Sequence, residues 1–122
     1  MSAQLGRLIV YTKKLDEMSD FYCTHFGFQE LRLENDKIVE LVAIEGGAHI
    51  LLYPVSPKRK EAQTLVKLVF DVRDVEAFCK AASKKGLEFG AIHQAEGYCF
   101  ANAKDPSGNS VQVSSRAFVA RK

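Results

Sequence analysis

The polar side chains of the run Ser110–Ser114 are the first candidates for chemistry. This run alternates serine or glutamine with valine, and a strand places every second residue on the same face. Ser110, Gln112 and Ser114 therefore share a face that can donate and accept hydrogen bonds. Such a face is either solvated or lines a pocket for a small molecule. The function of the chain depends on which of these interpretations holds.

The histidines show no spacing typical of a metal site. His25, His49 and His93 form no HxH or HxxxH pair, so each is interpreted as a surface histidine or a hydrogen-bonded core histidine. We also find no Ser–His–acid or Cys–His arrangement, no paired carboxylates and no phosphate-binding glycine loop. The sequence by itself therefore indicates no cofactor and no metal.

The three cysteines are interpreted as free thiols. Cys23, Cys79 and Cys99 are odd in number, widely separated and set among apolar residues. This pattern favours buried, reduced cysteines in a cytoplasmic protein over disulfides or a redox site. The first six residues also lack the basic start and apolar core of a signal peptide.

The composition argues against some classes of binding partner. The chain has 122 residues, of which 47% are hydrophobic and 26% are charged, and a formal net charge of +2. These values are typical of one soluble domain. The charge is too small to imply nucleic acid or an anionic membrane as a partner, and no apolar run is long enough to span a bilayer.

Two helices and eight strands are predicted as the elements that position these residues. Leu15–Phe26 has apolar residues at helical spacing and ends before Gly27, a common helix stop. Asp74 is a suitable N-cap for a second helix, which Gly86 ends. The predicted strands are Arg7–Thr12, Phe28–Glu34, Ile38–Ile44, His49–Tyr53, Leu65–Val72, Phe89–His93, Gly97–Ala103 and Ser110–Ser114.

The second half of the chain repeats the pattern of the first. Equivalent positions recur after 59 to 61 residues, as in the pairs Arg7 and Lys67, Gly27 and Gly86, and Leu51 and Gln112. This spacing predicts an α+β fold with two tandem β-α-β-β-β units in a single domain. The predicted parts are repeat one (about 5–54), a connector (55–64), repeat two (about 65–115) and a tail (116–122).

The alternation of side chains along the predicted strands assigns each residue to one of two faces of the sheet. The apolar face, predicted to pack under the helices, consists of Leu8, Val10, Val66, Leu68, Phe70, Val72, Val111 and Val113. The opposite face mixes charged, amide, hydroxyl and aromatic groups, and consists of Arg7, Ile9, Tyr11, His49, Leu51, Tyr53, Lys67, Val69, Asp71, Ser110, Gln112 and Ser114. If a curved mixed sheet brings the second set together, it lines a cleft suited to a small molecule.

The chain resembles the vicinal oxygen chelate superfamily, which includes glyoxalase I, extradiol dioxygenases and bleomycin-resistance proteins. Two stretches carry the resemblance: Leu8–Tyr22, followed by His25–Phe28, and the late hairpin Asp105–Val113, which reads DPSGNSVQV. The resemblance covers about residues 5 to 115 and implies tandem βαβββ repeats around a cleft. Because this fold hosts many chemistries, it does not specify the function.

The family's metal site is expected to be absent. Its metalloenzymes place His or Gln, Glu, His and Glu on the first, fourth, fifth and eighth strands. The positions that correspond here are Arg7, Leu51, Lys67 and Gln112. Arginine and protonated lysine only donate hydrogen bonds, and leucine offers no ligand atom, so only the glutamine can coordinate.

We therefore expect the face with the mixed polar and aromatic side chains to line a ligand pocket. In the family geometry Arg7 and Lys67 are neighbours and can together bind a carboxylate or a phosphate. Alternatively, each cation pairs with an acid such as Asp71 or reaches to solvent. A third interpretation makes Asp71 a general base, although the sequence identifies no partner residue for that role. Candidates for aromatic walls, which core packing explains equally, are Tyr11, His49, Tyr53, Tyr98 and Phe100.

Three functions are compatible with the sequence. The first is a metal-free protein that binds or sequesters a small organic ligand, as bleomycin-resistance-type members do; the slightly basic charge favours an anionic or neutral aromatic ligand over a cationic drug. The second is a lyase, isomerase or dioxygenase of the same superfamily. The third is a protein-contact module whose cleft its own side chains fill. The resemblance also implies a homodimer.

Overall fold

The structure is a computed structural model that describes residues 1–61 and 63–120. Its elements are β1 (Arg7–Thr12), α1 (Leu15–Phe26), β2 (Gln29–Leu31), β3 (Val39–Val42), β4 (His49–Pro54), β5 (Lys67–Asp71), α2 (Val75–Lys84), β6 (His93–Gln94), β7 (Cys99–Lys104), β8 (Ser110–Ser114) and a 3-10 helix, η1 (Arg116–Phe118).

The strands form two four-stranded mixed sheets, one in each of two compact units. The first unit ends at Glu61, inside the predicted connector, and has the strand order β1-β4-β3-β2. The second unit has the equivalent order β5-β8-β7-β6. β1 runs parallel to β4 and β5 runs parallel to β8, while the other neighbouring pairs are antiparallel. The predicted tandem βαβββ architecture of the α+β class is therefore confirmed.

The core of the first unit lies between α1 and its sheet. Met18 and Tyr22, about one helical turn apart, are completely buried, and α1 packs on β3 and β4. The α1 bounds agree with the prediction. Gly27 ends the helix at a φ of 75°, where its N–H donates to the Tyr22 carbonyl. Positive φ costs a glycine little, so this residue type suits the position.

The core of the second unit lies between α2 and its sheet. The Asp74 carboxylate accepts a hydrogen bond from the Ala77 N–H at 2.9 Å, which confirms the predicted N-cap. Val75 of α2 and Val111 and Val113 of β8 are buried, as the predicted apolar face requires. Val66 is different, because it precedes β5 and is exposed.

The turn between β7 and β8 is built around Asp105. One carboxylate oxygen, Oδ1, accepts from the backbone N–H groups of Ser107 at 3.0 Å and Asn109 at 2.9 Å. The other, Oδ2, accepts from the Asn109 side-chain amide at 3.1 Å. Gly108 has a φ of 86°. This turn sets the register that places Asn102 opposite Gln112.

Several strands are shorter than predicted, β2 and β6 most of all. The strand predicted at Phe28–Glu34 extends only over β2, since pairing with β3 ends at Leu31. Phe28, just before it, packs edge-on against Tyr22, with ring centroids 6.0 Å apart. The strand predicted at Phe89–His93 is replaced by β6. Phe89 packs on Phe78 of α2, with ring centroids 6.2 Å apart, and pairing with β7 begins only at His93.

The predicted tail contains structure. Arg116–Phe118 forms η1, and the backbone N–H of Ser115 donates to the Cys99 carbonyl at 3.1 Å. The guanidinium carbon of Arg73 lies 4.2 Å from the centroid of the Phe118 ring, a cation–π distance. Residues 121 and 122 of the predicted tail, and residue 62 of the predicted connector, lie outside the described residues.

The cysteines are free but only half-buried. Burial raises the pKa of the Cys23 thiol and of the Cys79 thiol above the ordinary value. A higher thiol pKa leaves less of the reactive thiolate at neutral pH. Within residues 1–61 and 63–120, no helix is long and apolar enough to cross a bilayer.

Candidate functional site

The open face of the first sheet carries five of the predicted site residues. The β1–β4 register pairs Arg7 with His49, Ile9 with Leu51 and Tyr11 with Tyr53. The rings of Tyr11 and Tyr53 meet edge to face, with centroids 5.7 Å apart. The structure therefore brings Arg7, Tyr11, His49, Leu51 and Tyr53 together on one face, as alternation predicts.

His49 has a structural contact on this sheet. Its Nδ1 accepts a hydrogen bond from the backbone N–H of Ala43 at 3.1 Å, which joins the two ends of the β3–β4 turn. The hydrogen bond requires an unprotonated Nδ1, so this nitrogen cannot bind a ligand at the same time. Glu40, which the sequence analysis did not single out, lies next to Leu51 in the β3–β4 register and is half-buried.

The open face of the second sheet carries a hydrogen-bonded trio. The Lys67 ammonium donates to Oδ1 of Asn102 at 3.1 Å, and Nε2 of Gln112 donates to the same oxygen at 2.9 Å. The trio spans β5, β7 and β8. Asn102 is absent from the predicted site because it belongs to a strand whose faces were not assigned.

An open pocket of about 410 Å³ lies beside this trio on the same unit. Its lining residues are Val69, Asp71, Tyr98, Phe100, Gln112, Ser114, Arg116 and Ala117. Two of the predicted site residues, Asp71 and Gln112, therefore share a pocket with two of the aromatic candidates, Tyr98 and Phe100. Rings and one valine supply the apolar walls, while a carboxylate, an amide and a guanidinium supply the polar groups, a combination typical of small-molecule sites.

Arg116 contributes the guanidinium and was predicted only as part of a tail. Its Nη1 donates to the Tyr98 hydroxyl at 2.8 Å, and its guanidinium carbon lies 5.2 Å from the centroid of the same ring. Ser115, the preceding residue, accepts a hydrogen bond from the Cys99 N–H at 3.1 Å through its hydroxyl. Contacts at Ser115 and Phe118 thus hold η1 in place on both sides of Arg116.

The predicted ion pairs of the cations are not formed within the described residues. Lys67 bonds to Asn102, a neutral amide, instead of Asp71. The salt bridges in the described part of the chain join Arg32 to Asp16 and Glu30, and Lys80 to Glu76. The proximity of Arg7 and Lys67, which belong to different units, stays a prediction.

The residues at the family's metal positions do not fit a divalent ion. The Lys67 ammonium and the Nε2 group of Gln112 both donate to Asn102 and offer no lone pair to a cation, which leaves the single carbonyl oxygen of Gln112 as a ligand atom. Their equivalents on the first sheet are Arg7 and Leu51, which offer no ligand atom. Among the described residues, no group of three His, Cys, Asp or Glu side chains is arranged to hold a metal ion.

Comparisons with solved structures agree with this fold. UcmS2 shares 18% identity, with a TM-score of 0.77 over 94% of this chain and 99% of that chain. TnmS3, an antibiotic binding protein from Streptomyces sp. CB03234, shares 17% identity, with a TM-score of 0.76 over 92% and 94%. A lactoylglutathione lyase from Agrobacterium tumefaciens shares 18% identity, with a TM-score of 0.71 over 93% and 94%.

These identities are low, so the likenesses show a shared fold. No curated protein sequence matches the chain. The model of one protein family, described as the glyoxalase/bleomycin resistance protein/dioxygenase superfamily, matches residues 4–113, which is nearly the whole chain. The chain belongs to this glyoxalase/bleomycin resistance protein/dioxygenase superfamily.

Proposed function

We propose that the protein binds a small aromatic organic molecule without a metal, as a binding or sequestering member of its superfamily. The pocket on the second sheet carries this proposal. Its volume of about 410 Å³ lies within the range of about 300–1,000 Å³ that is usual for small-molecule sites. The likeness to TnmS3, an antibiotic binding protein, supports a binding role.

The aromatic side chains favour a ring-containing ligand. Tyr98 and Phe100 lie with their ring centroids 6.3 Å apart and their planes inclined at 34°. His93 packs against the Phe100 ring, with centroids 5.2 Å apart, so Phe100 is supported on the side of the neighbouring strand. Offset or edge-on contact of a ligand ring with such side chains contributes about 0.5–1.5 kcal/mol beyond the area it buries.

The polar side chains favour a ligand without a large net charge. Asp71 and Arg116 both line the pocket, and their formal charges cancel. A neutral aromatic ligand therefore fits the second unit better than the anionic ligand that Arg7 and Lys67 would favour. The remaining site candidates, Arg7, Tyr11, His49, Leu51 and Tyr53, all belong to the first unit and are proposed separately, as ligand-binding candidates on its open face. A cytoplasmic homodimer is proposed on the family resemblance alone.

The alternative function is a lyase, isomerase or dioxygenase of the same superfamily. The likeness to a lactoylglutathione lyase is the observation in its favour. The metalloenzymes of this superfamily hold their metal ion with ligands on the first, fourth, fifth and eighth strands. The contacts of Lys67 and Gln112 with Asn102 are the reason to prefer the binding function.

The deciding experiment measures metal content and ligand binding on the same preparation. Protein from medium containing zinc, nickel, manganese and iron is expected to hold far less than one metal ion per chain. Aromatic compounds are then screened by thermal shift with and without EDTA. We expect EDTA to leave binding unchanged and Phe100→Ala to abolish it.

The control variant is Leu33→Ala, an exposed residue outside the pocket, which should bind as the wild type does. A ligand that still binds Phe100→Ala would contradict the proposed pocket. One tightly held metal ion per chain, together with metal-dependent turnover, would replace the binding function by the enzymatic alternative.

A further inference from the structure

The side-chain oxygen of Asn102 accepts two hydrogen bonds. One comes from the Lys67 ammonium at 3.1 Å and the other from Nε2 of Gln112 at 2.9 Å. Asn102 and Gln112 are both half-buried and face each other in the β7–β8 register. The trio therefore connects an exposed cation on β5 to a residue that lines the pocket.

The cation determines which way both amides point. A protonated lysine has three donors and no acceptor, so Asn102 must present its oxygen to Lys67. An oxygen in that position attracts the NH₂ group of Gln112 and repels its carbonyl. The Gln112 carbonyl oxygen, Oε1, is left for the pocket, and none of the described residues donates a hydrogen bond to it.

A second acceptor lies on the same face. The β5–β8 register pairs Gln112 with Val69 and Ser114 with Asp71, so Asp71 lies two residue pairs along the strands from Gln112, on the same face. Arg116, the cation of the pocket, donates through Nη1 to the Tyr98 hydroxyl. The part of the pocket near Gln112 and Asp71 thus offers acceptors to a ligand.

We propose that Lys67 is a positioning residue that holds Gln112 as a hydrogen-bond acceptor, and that the ligand is an aromatic compound with an O–H or N–H donor on its ring. This inference rests on the proposed function and narrows it to a class of ligand. A ring that carries only acceptors, such as an aryl methyl ether, leaves the Gln112 carbonyl desolvated and unpaired, which weakens binding.

The test compares two probes that differ by one methyl group. 2-Naphthol carries a donor, and 2-methoxynaphthalene replaces it with an ether oxygen. Binding is measured near neutral pH by NMR titration of ¹⁵N-labelled full-length protein, which detects millimolar affinities. We expect the wild type to bind 2-naphthol about tenfold more tightly, since one hydrogen bond and one unpaired acceptor separate the probes.

Three variants test whether Lys67 and Gln112 cause the preference for 2-naphthol. Lys67→Met keeps an unbranched side chain, one heavy atom shorter, but removes the cation, and should reduce the preference to near parity. Lys67→Arg keeps a donor-only group and should restore it. Gln112→Met removes the proposed acceptor and should also remove the preference. The side-chain amide signals of Gln112 and Asn102 should shift in Lys67→Met and return towards wild type in Lys67→Arg.

The outcomes separate this inference from the proposed function. If both probes bind equally and Phe100→Ala weakens both, the pocket is correct and the donor preference is overturned. If Lys67→Met keeps the preference and the amide signals, the positioning role is overturned. If neither probe produces shifts at the pocket residues, the proposed aromatic site fails and the inference fails with it.

Discussion

The Arg116 guanidinium and the Tyr98 ring form one end of the pocket. Nη1 of Arg116 donates to the Tyr98 hydroxyl at 2.8 Å, and the guanidinium carbon lies 5.2 Å from the ring centroid. The hydroxyl therefore serves as an acceptor for Arg116, and its own proton is free to point elsewhere. A planar cation on an aromatic ring orders both groups, since each restricts the rotamers of the other.

Arg116→Leu is expected to weaken 2-naphthol binding several-fold, because Tyr98 loses the contact that orders its ring. Arg116→Lys is the matched variant. It keeps the charge but loses the planar fork, so we expect it to bind nearly as weakly as Arg116→Leu. NMR titration of the two variants gives the affinities. If Arg116→Lys binds 2-naphthol as tightly as the wild type does, the positive charge is sufficient and the planar contact with the Tyr98 ring is not needed.

Local signals in the sequence account for most of the fold. The α1 bounds were predicted from apolar spacing and from Gly27, whose positive φ the structure confirms. Strand ends were harder to predict, because they depend on long-range packing. Phe28 and Phe89 have strand-like neighbours, yet both rings pack on aromatic side chains of the helices, Tyr22 and Phe78.

The site was predictable only where alternation assigns a face. Alternation placed Gln112 and Asp71 on the face that carries the candidate pocket. Arg116 was missed because its partner, Tyr98, lies 18 residues away in the sequence, and nothing in the local pattern distinguishes it from a frayed end. Asn102 was missed because alternation was not used to assign the faces of its strand, and its contact with Lys67 spans 35 residues.

Leu41→Ala is expected to lower the free energy of unfolding by about 2–5 kcal/mol, the usual cost of emptying a buried leucine site. Leu41 of β3 is 0% exposed. Leu33→Ala is the matched control at a position that is 60% exposed, and should change stability by no more than about 0.5 kcal/mol. Urea unfolding followed by circular dichroism provides both values. Equal effects would show that Leu41 is not part of the core.

Asp105→Ala is expected to destabilise the protein by about 2–3 kcal/mol, because three N–H groups of the β7–β8 turn lose a charged acceptor. The control is Asp36→Ala. The Asp36 carboxylate accepts one backbone hydrogen bond, from Ile38 at 3.0 Å, at an exposed position. Its loss should cost less than about 1 kcal/mol.

Thermal unfolding compares the two aspartate variants, and ¹H–¹⁵N spectra show whether the β7–β8 register changes. We expect signals from Asn102 and Gln112 to move in Asp105→Ala, since this turn sets their pairing. Comparable losses of stability in the two variants would contradict the structural role of the Asp105 turn.

Stability is expected to depend on pH through Glu30. Two hydrogen bonds hold the pKa of this carboxyl below its ordinary value: the larger effect comes from the Ser19 hydroxyl, which donates at 2.5 Å, and the smaller from Arg32 at 3.1 Å. A carboxyl with a lower pKa in the folded state stabilises the protein above its unfolded pKa. That contribution is lost as the pH falls through the folded pKa.

Ser19→Ala should therefore raise the pKa of Glu30, measured by NMR titration of its carboxyl carbon, towards the ordinary value. Urea unfolding should show the variant less stable than the wild type at neutral pH, and the difference should shrink in acid, where Glu30 is protonated in both proteins. Because Glu30 is largely exposed, solvent screening keeps this part of the difference small. Glu17→Gln, an exposed substitution on the same helix as Ser19, is the control and should leave the pKa of Glu30 nearly unchanged, because Glu17 is not among the groups that shift it. An unchanged Glu30 pKa in Ser19→Ala would show that the hydroxyl does not stabilise the ionised carboxylate.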